Sequence, residues 1–320
     1  MWPKLRSYLE LIRFSHTLFA LPFALLSAFM AWYVNFHPEL AQVPERGFRW
    51  QDLAGILLAM VFARSAAMAF NRLADQAIDA QNPRTSGRHL PAGKLTRKGV
   101  WGFTGICSFG FILSTCCFLP GNPIPLFMSV PVLLFLFGYS LAKRFTQWVH
   151  FWLGGALMLA PVAAWVAIRG GVWWNLWLEW QKGSPLIWPT VEWSPFLLAS
   201  GVLFWTAGFD MIYACMDAEF DQTHDVFSIP GKYGIPTALR LAAGCHFLML
   251  FPLVGCGFLF PPFQTAWMVG MGLIAGLLVY EHAIVDVRNP GRVNQAFFHV
   301  NALISMTLLL LGVGEILWHW

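Results

Sequence analysis

Charge is what this sequence has least of. Asp, Glu, Lys and Arg together make up 11% of 320 residues, while 58% are hydrophobic, which excludes a water-soluble domain of ordinary composition. Long polar stretches are also missing, so no soluble domain fits between the apolar runs. The formal net charge of +4 reflects a bias between loops and gives no reason to expect nucleic acid as a partner. Cysteines number six, without the paired CxxC spacing of a zinc or redox site. Cys107, Cys116, Cys117, Cys215, Cys245 and Cys256 fall in or near apolar runs and read as small apolar fillers. No small-residue cleavage site follows the first run, so a retained helix is expected there and not a signal peptide.

Apolar sequence is present in lengths that suit a bilayer. A span needs about 20 mostly apolar residues, and nine runs qualify: 15–34, 51–70, 99–119, 123–142, 149–168, 194–215, 237–260, 264–284 and 297–317. The expected fold is therefore all-α, a polytopic membrane protein of about nine transmembrane helices forming one domain over 1–320. With the N terminus inside, fifteen of the twenty basic residues fall on the inner side, Arg46, Arg49, Arg169 and Lys182 fall outside, and Arg64 lies within a span. The positive-inside rule supports that orientation. Residues 1–14 form a basic amphipathic segment expected at the inner interface. His16 is expected to be hydrogen-bonded in the core, and the Trp-rich stretch from Arg169 to Trp193 to be an outer aromatic belt.

Acids gather at two inner helix ends. Asn71, Asp75 and Asp79 recur every four residues, which stacks them on one helical face. About 140 residues later Tyr213, Asp217 and Asp221 repeat the interval, with Asp210 two turns before Asp217. If the two ends face each other, four carboxylates share a site. Like charges ~4 Å apart repel by about 4 kcal/mol per pair at a protein-like dielectric, so such a site needs cations. Mg2+ sits between one or two protein carboxylates and the phosphates of a substrate, and a diphosphate is the expected partner.

Arg64 lies two turns before Asn71 on roughly the same face. A charge at that depth costs ~2.5 to 3.5 kcal/mol on insertion scales; pairing with one of the acids and binding an anionic substrate group are both open. Arg84 and Arg88 follow the first acidic helix end, where guanidinium forks can grip phosphate oxygens. Tyr139 and Lys143 are one turn apart and share a face, and Lys143 could equally snorkel to the interface. Glu219 points elsewhere on its helix, Asp225 could go either way, and Asn294 is the polar residue to watch in the last third of the chain.

The Asn71-x-x-x-Asp75-x-x-x-Asp79 helix end, the Arg84 and Arg88-x-Leu90-Pro91-x-Gly93 loop, Tyr139-Ser140-x-x-Lys143-Arg144, and Asp210-x-x-Tyr213-Ala214-x-x-Asp217-x-x-x-Asp221 together resemble the UbiA superfamily of intramembrane prenyltransferases. The resemblance covers nearly the whole chain. It is strongest to members acting on 4-hydroxybenzoate, with 1,4-dihydroxy-6-naphthoate as the alternative acceptor, which points to ubiquinone or menaquinone synthesis. Two departures stand out: Arg72 follows Asn71 where many members have Asp, and His89 replaces a common Pro. The resemblance implies helices around a central cavity in a bacterial inner membrane, with the active site toward the cytoplasm and a side opening to lipid. It implies Mg2+ on Asp75, Asp79, Asp217 and Asp221, supported by Asn71. Arg84, Arg88, Tyr139 and Lys143 would bind a polyprenyl diphosphate, and Arg64, Asp210 and Tyr213 an aromatic carboxylate acceptor. The rival from another class is a cation-coupled transporter, in which intramembrane acids mark an ion path.

Overall fold

The computed structural model describes residues 2–12, 19–41 and 47–320; His16 and the start of the first expected span lie outside them. Among the described residues the chain forms fourteen α-helices and no β-strand. They are α1 Trp2–Leu11, α2 Leu21–Phe36, α3 Pro38–Ala41, α4 Trp50–Gln81, α5 Arg97–Thr115, α6 Ile124–Ala142, α7 Val149–Gln181, α8 Ser194–Ala214, α9 Ala218–Thr223, α10 Ile229–Tyr233, α11 Ile235–Leu259, α12 Thr265–Ile284, α13 Pro290–Asn294 and α14 Asn301–Trp318. Eight segments, built on α4, α5, α6, α7, α8, α11, α12 and α14, are long and apolar enough to cross a membrane. The ninth expected span is represented by α2, a shorter apolar helix of 16 residues.

Length explains where the polar residues end up. α4 has 32 residues, about 48 Å at 1.5 Å per residue, against a hydrocarbon core of ~30 Å. Its final turns, which carry the first acidic motif, therefore reach beyond the apolar layer. α8 is the hub of the bundle, packed against α7 and α11, while α4 lies along α5 and α2 along α7. A β-carbon on Gly154 of α7 would come within 2.5 Å of the Leu203 carbonyl oxygen of α8, so the two helices cross at backbone contact. Trp32, Trp165, Trp205 and Trp267 are fully buried and fill the core.

Two expectations are corrected here. α7 continues to Gln181, so Arg169 is not in an outer loop but inside the helix and fully buried. There its Nε and Nη2 reach Glu192 Oε1 at 2.7 and 2.6 Å, and its Nη1 donates to Asn35 Oδ1. Trp165 and Trp173 donate to Glu192 Oε2 at 2.6 and 2.8 Å, which removes Trp173 from a purely interfacial role. Trp177, Trp180 and Trp193 are exposed, as a belt requires. The second correction concerns α1, which does more than lie at an interface. Leu11 is buried in a cluster with Ala69, Leu73, Leu90 and Val100, and Tyr8 stacks on Phe103 at 4.9 Å, so α1 braces α4 and α5 beside the acidic motif.

Candidate active site

The first rim rides on unbroken helix. Arg72 donates to Asn71 Oδ1 at 3.3 Å, which leaves Asn71 Nδ2 to donate to Asp75 Oδ2 at 3.0 Å. The same Asp75 oxygen meets Lys143 Nζ at 2.7 Å, and Arg144 stands 3.7 Å from Oδ1. One turn on, Asp79 is gripped by Arg88 Nη1, 2.7 and 2.9 Å from its two oxygens. Asp75 and Asp79 are both buried. Arg144 also donates to the carbonyls of Ser140 at 2.8 Å and of Ala74.

The second rim is not a continuous helix. α8 ends at Ala214, a 3-10 turn covers Cys215–Asp217, and α9 begins at Ala218. The tighter turn departs from the uniform four-residue stacking expected from spacing. Its effect is to aim Asp217 at the loop after α4: Asn82 Nδ2 donates to Asp217 Oδ1 at 3.0 Å and Arg84 Nε to the same oxygen at 2.8 Å, with Arg84 Nη2 on Oδ2. Arg84 Nη1 donates to the Tyr213 hydroxyl at 2.9 Å. Burial works against the Arg84 charge, but these bonds to Asp217 and Tyr213 outweigh it and hold the guanidinium above its ordinary range. Asp221 accepts from Ser228 Oγ at 2.6 Å.

Both rims border one cavity of about 290 Å³. Its walls include all the residues expected to bind metal, diphosphate or acceptor: Asn71, Asp75, Asp79, Arg84, Arg88, Tyr139, Lys143, Asp210, Tyr213, Asp217, Asp221 and Arg64. Phe19, Phe209 and Phe297 add apolar wall, and the Phe297 ring lies 4.3 Å from that of Tyr213. Asp225 and Asn294 are exposed and do not line it, and neither does Glu219. Five acids and five Lys or Arg side chains face the space, so its formal charge is balanced. Arg64 stands apart: it makes no hydrogen bond or ion pair among the described residues, and its Nε is a buried donor without a partner.

His150 was not singled out from the sequence. It is 1% exposed, its Nδ1 lies 2.7 Å from Asp210 Oδ2, and its Nε2 accepts from the Ile229 backbone N–H at 3.3 Å. The only sequence signal was a histidine at the start of an apolar run, seven residues after Lys143. Asn82 and Ser228, also missed, are ordinary loop residues until the fold brings them to Asp217 and Asp221.

The donor set suits a hard divalent cation, since both rims offer carboxylate oxygens and Asp75 Oδ1 is buried without a hydrogen-bond partner. No three His, Cys, Asp or Glu side chains among the described residues are already gathered around one point. Instead Lys143, Arg88 and Arg84 occupy the carboxylates.

Comparison with known proteins identifies the family. The chain is 30% identical over 262 residues to the 4-hydroxybenzoate octaprenyltransferase of Nitrosomonas europaea, covering 79% of this chain and 80% of that one. It is 29% identical to the enzyme of the same name from Saccharophagus degradans, over 79% and 76% of the two chains. The apo structure of a UbiA homologue from Aeropyrum pernix K1 superposes with a TM-score of 0.75 at 27% identity, over 96% of this chain and 98% of that one. A UbiA homologue from Archaeoglobus fulgidus bound to GPP and Mg2+ shares the fold, with a TM-score of 0.62 at 17% identity over 97% and 99%. The model of the UbiA prenyltransferase family matches residues 20–303, and the chain belongs to that family.

Proposed function

We propose that this protein transfers a polyprenyl group from a polyprenyl diphosphate to 4-hydroxybenzoate, with Mg2+, as a step in respiratory quinone synthesis. The observation that carries the reading is Arg64, a cavity cation without a partner among the described residues, beside a rim whose acids and bases are paired. A buried guanidinium left open in that way suits a substrate carboxylate, which it can hold by two parallel bonds. The names of the relatives from Nitrosomonas europaea and Saccharophagus degradans support the same acceptor.

Asp75, Asp79, Asp217 and Asp221, with Asn71 in support, would hold the metal. Bound Mg2+ supplies positive charge that neutralises the departing diphosphate. Lys143, Arg84 and Arg88 would bind the diphosphate oxygens, and the Tyr139 hydroxyl can add a bond there. The allylic C–O bond then breaks with its electron pair on the diphosphate. Tyr213, Phe209 and Phe297, which line the cavity, can stabilise the cationic carbon by ~0.5 to 2 kcal/mol for each ring face that meets it, and their apolar surface disfavours water beside it. The prenyl tail stays in the surrounding lipid. The bias of basic residues supports an inner bacterial membrane with this end toward the cytoplasm.

The test is reconstitution of purified protein with Mg2+, a polyprenyl diphosphate and 4-hydroxybenzoate. Prenylated benzoate and inorganic diphosphate are expected in equal amounts. Product with 1,4-dihydroxy-6-naphthoate and none with the benzoate would reassign the acceptor, and turnover with neither would overturn the reading.

A further inference from the structure

Aromatic prenylation ends on a step that no residue above performs: the ring carbon that accepts the prenyl group must lose its proton. Asp210 and His150 are built for it. The Ile229 N–H donates to His150 Nε2, so that nitrogen carries no hydrogen and the ring proton is on Nδ1, which donates to Asp210 Oδ2 at 2.7 Å. Asp210 Oδ1 makes no hydrogen bond among the described residues, and the side chain faces the cavity. Asp210 and Arg64 line the same cavity, so an acceptor held by Arg64 shares its space with Asp210.

We propose that Asp210 accepts the ring proton and that His150 is the positioning residue that holds it for this task; the inference rests on the function proposed above. The electrons balance. A ring π pair forms the new bond to the allylic carbon, the C–H bond at that ring carbon returns its pair to the ring, and the proton goes to Asp210 Oδ1. His150 locks the other oxygen, as an orienting group does for a general base. The lock is tied to the cavity wall, because Ile229 follows Ser228, which donates to Asp221, and Phe227, whose N–H donates to the Lys143 carbonyl at 2.8 Å.

The test uses 4-hydroxybenzoate deuterated at the two positions beside the hydroxyl, with Mg2+ and a polyprenyl diphosphate, following product and diphosphate separately. Wild type is expected to show no isotope effect, because ionisation limits the rate. In His150→Phe, product formation should fall by about 10²-fold, a primary isotope effect should appear, and diphosphate release should exceed product. His150→Gln, whose amide can still donate to Asp210, should recover most of the loss. Asp210→Asn keeps the side-chain volume and must show the same isotope effect, so it decides the matter if His150→Phe does not fold. Absence of an isotope effect in these variants, or diphosphate and product falling in step, overturns the assignment. Wild-type protein that neither releases diphosphate nor makes product overturns the proposed function instead.

Discussion

Two arginines lie deep in the bundle, and they have been treated oppositely. Arg169 is fully buried against an equally buried Glu192, at 2.6 Å, with Asn35 on its other side. Arg64 is lodged in the cavity wall with no partner among the described residues. The first is closed by other segments of the chain, between α2, α7 and the turn before α8. The second keeps its charge uncompensated, at a cost the fold must carry elsewhere. A buried charge that is paired belongs to the architecture, and one left open is available to a ligand.

Substitutions can break this contrast. The largest effect is expected at the rim: Asp75→Asn should lower kcat by about 10³-fold with little change in Tm, measured by product formation and thermal unfolding in detergent. Arg169→Met should do the reverse. Removing one partner of a buried pair costs ~3 to 5 kcal/mol, so Tm should drop sharply while the protein that remains folded keeps its KM values. Restoring an apolar match with Arg169→Met and Glu192→Leu together should recover part of that loss.

Arg64→Leu sharpens the comparison because its two effects have opposite signs. Losing a charged hydrogen bond of ~1.5 to 3 kcal/mol should raise acceptor KM by about 10²-fold and leave donor KM nearly unchanged, while Tm rises because an unpaired cation has left an apolar setting. Equal changes in both KM values would remove Arg64 from the acceptor site. The smallest effect is expected at Lys182, whose pair with Glu179 is largely exposed. Lys182→Ala should alter stability by less than ~1 kcal/mol and activity not at all.

Much of the site was legible because its residues sit at helical intervals where apolar runs end. Asn71, Asp75 and Asp79 advertise one face, and the structure keeps them on one unbroken helix. The second motif was legible in its acids but not in its shape, since nothing local to Ala214 through Ala218 signals the 3-10 turn that directs Asp217 toward Arg84. His150 was hidden because its partner is 60 residues away, and a single histidine beside an apolar run has many uses. Arg169 was misjudged for a related reason. A lone charge is costly in a span, and only Glu192, 23 residues later, makes its burial tolerable.

By itself, then, the order of residues determined which segments prefer a bilayer, which helix ends carry acids and which side chains share a face. Hydropathy and helical period are properties of a single segment, so they can be read along the chain. Which charge meets which was decided only by tertiary structure: Asp75 with Lys143, Asp217 with Arg84, Arg169 with Glu192, and Arg64 with no other described residue. Coulomb and hydrogen-bond energies depend on distances between segments, and those distances exist only after the helices have packed.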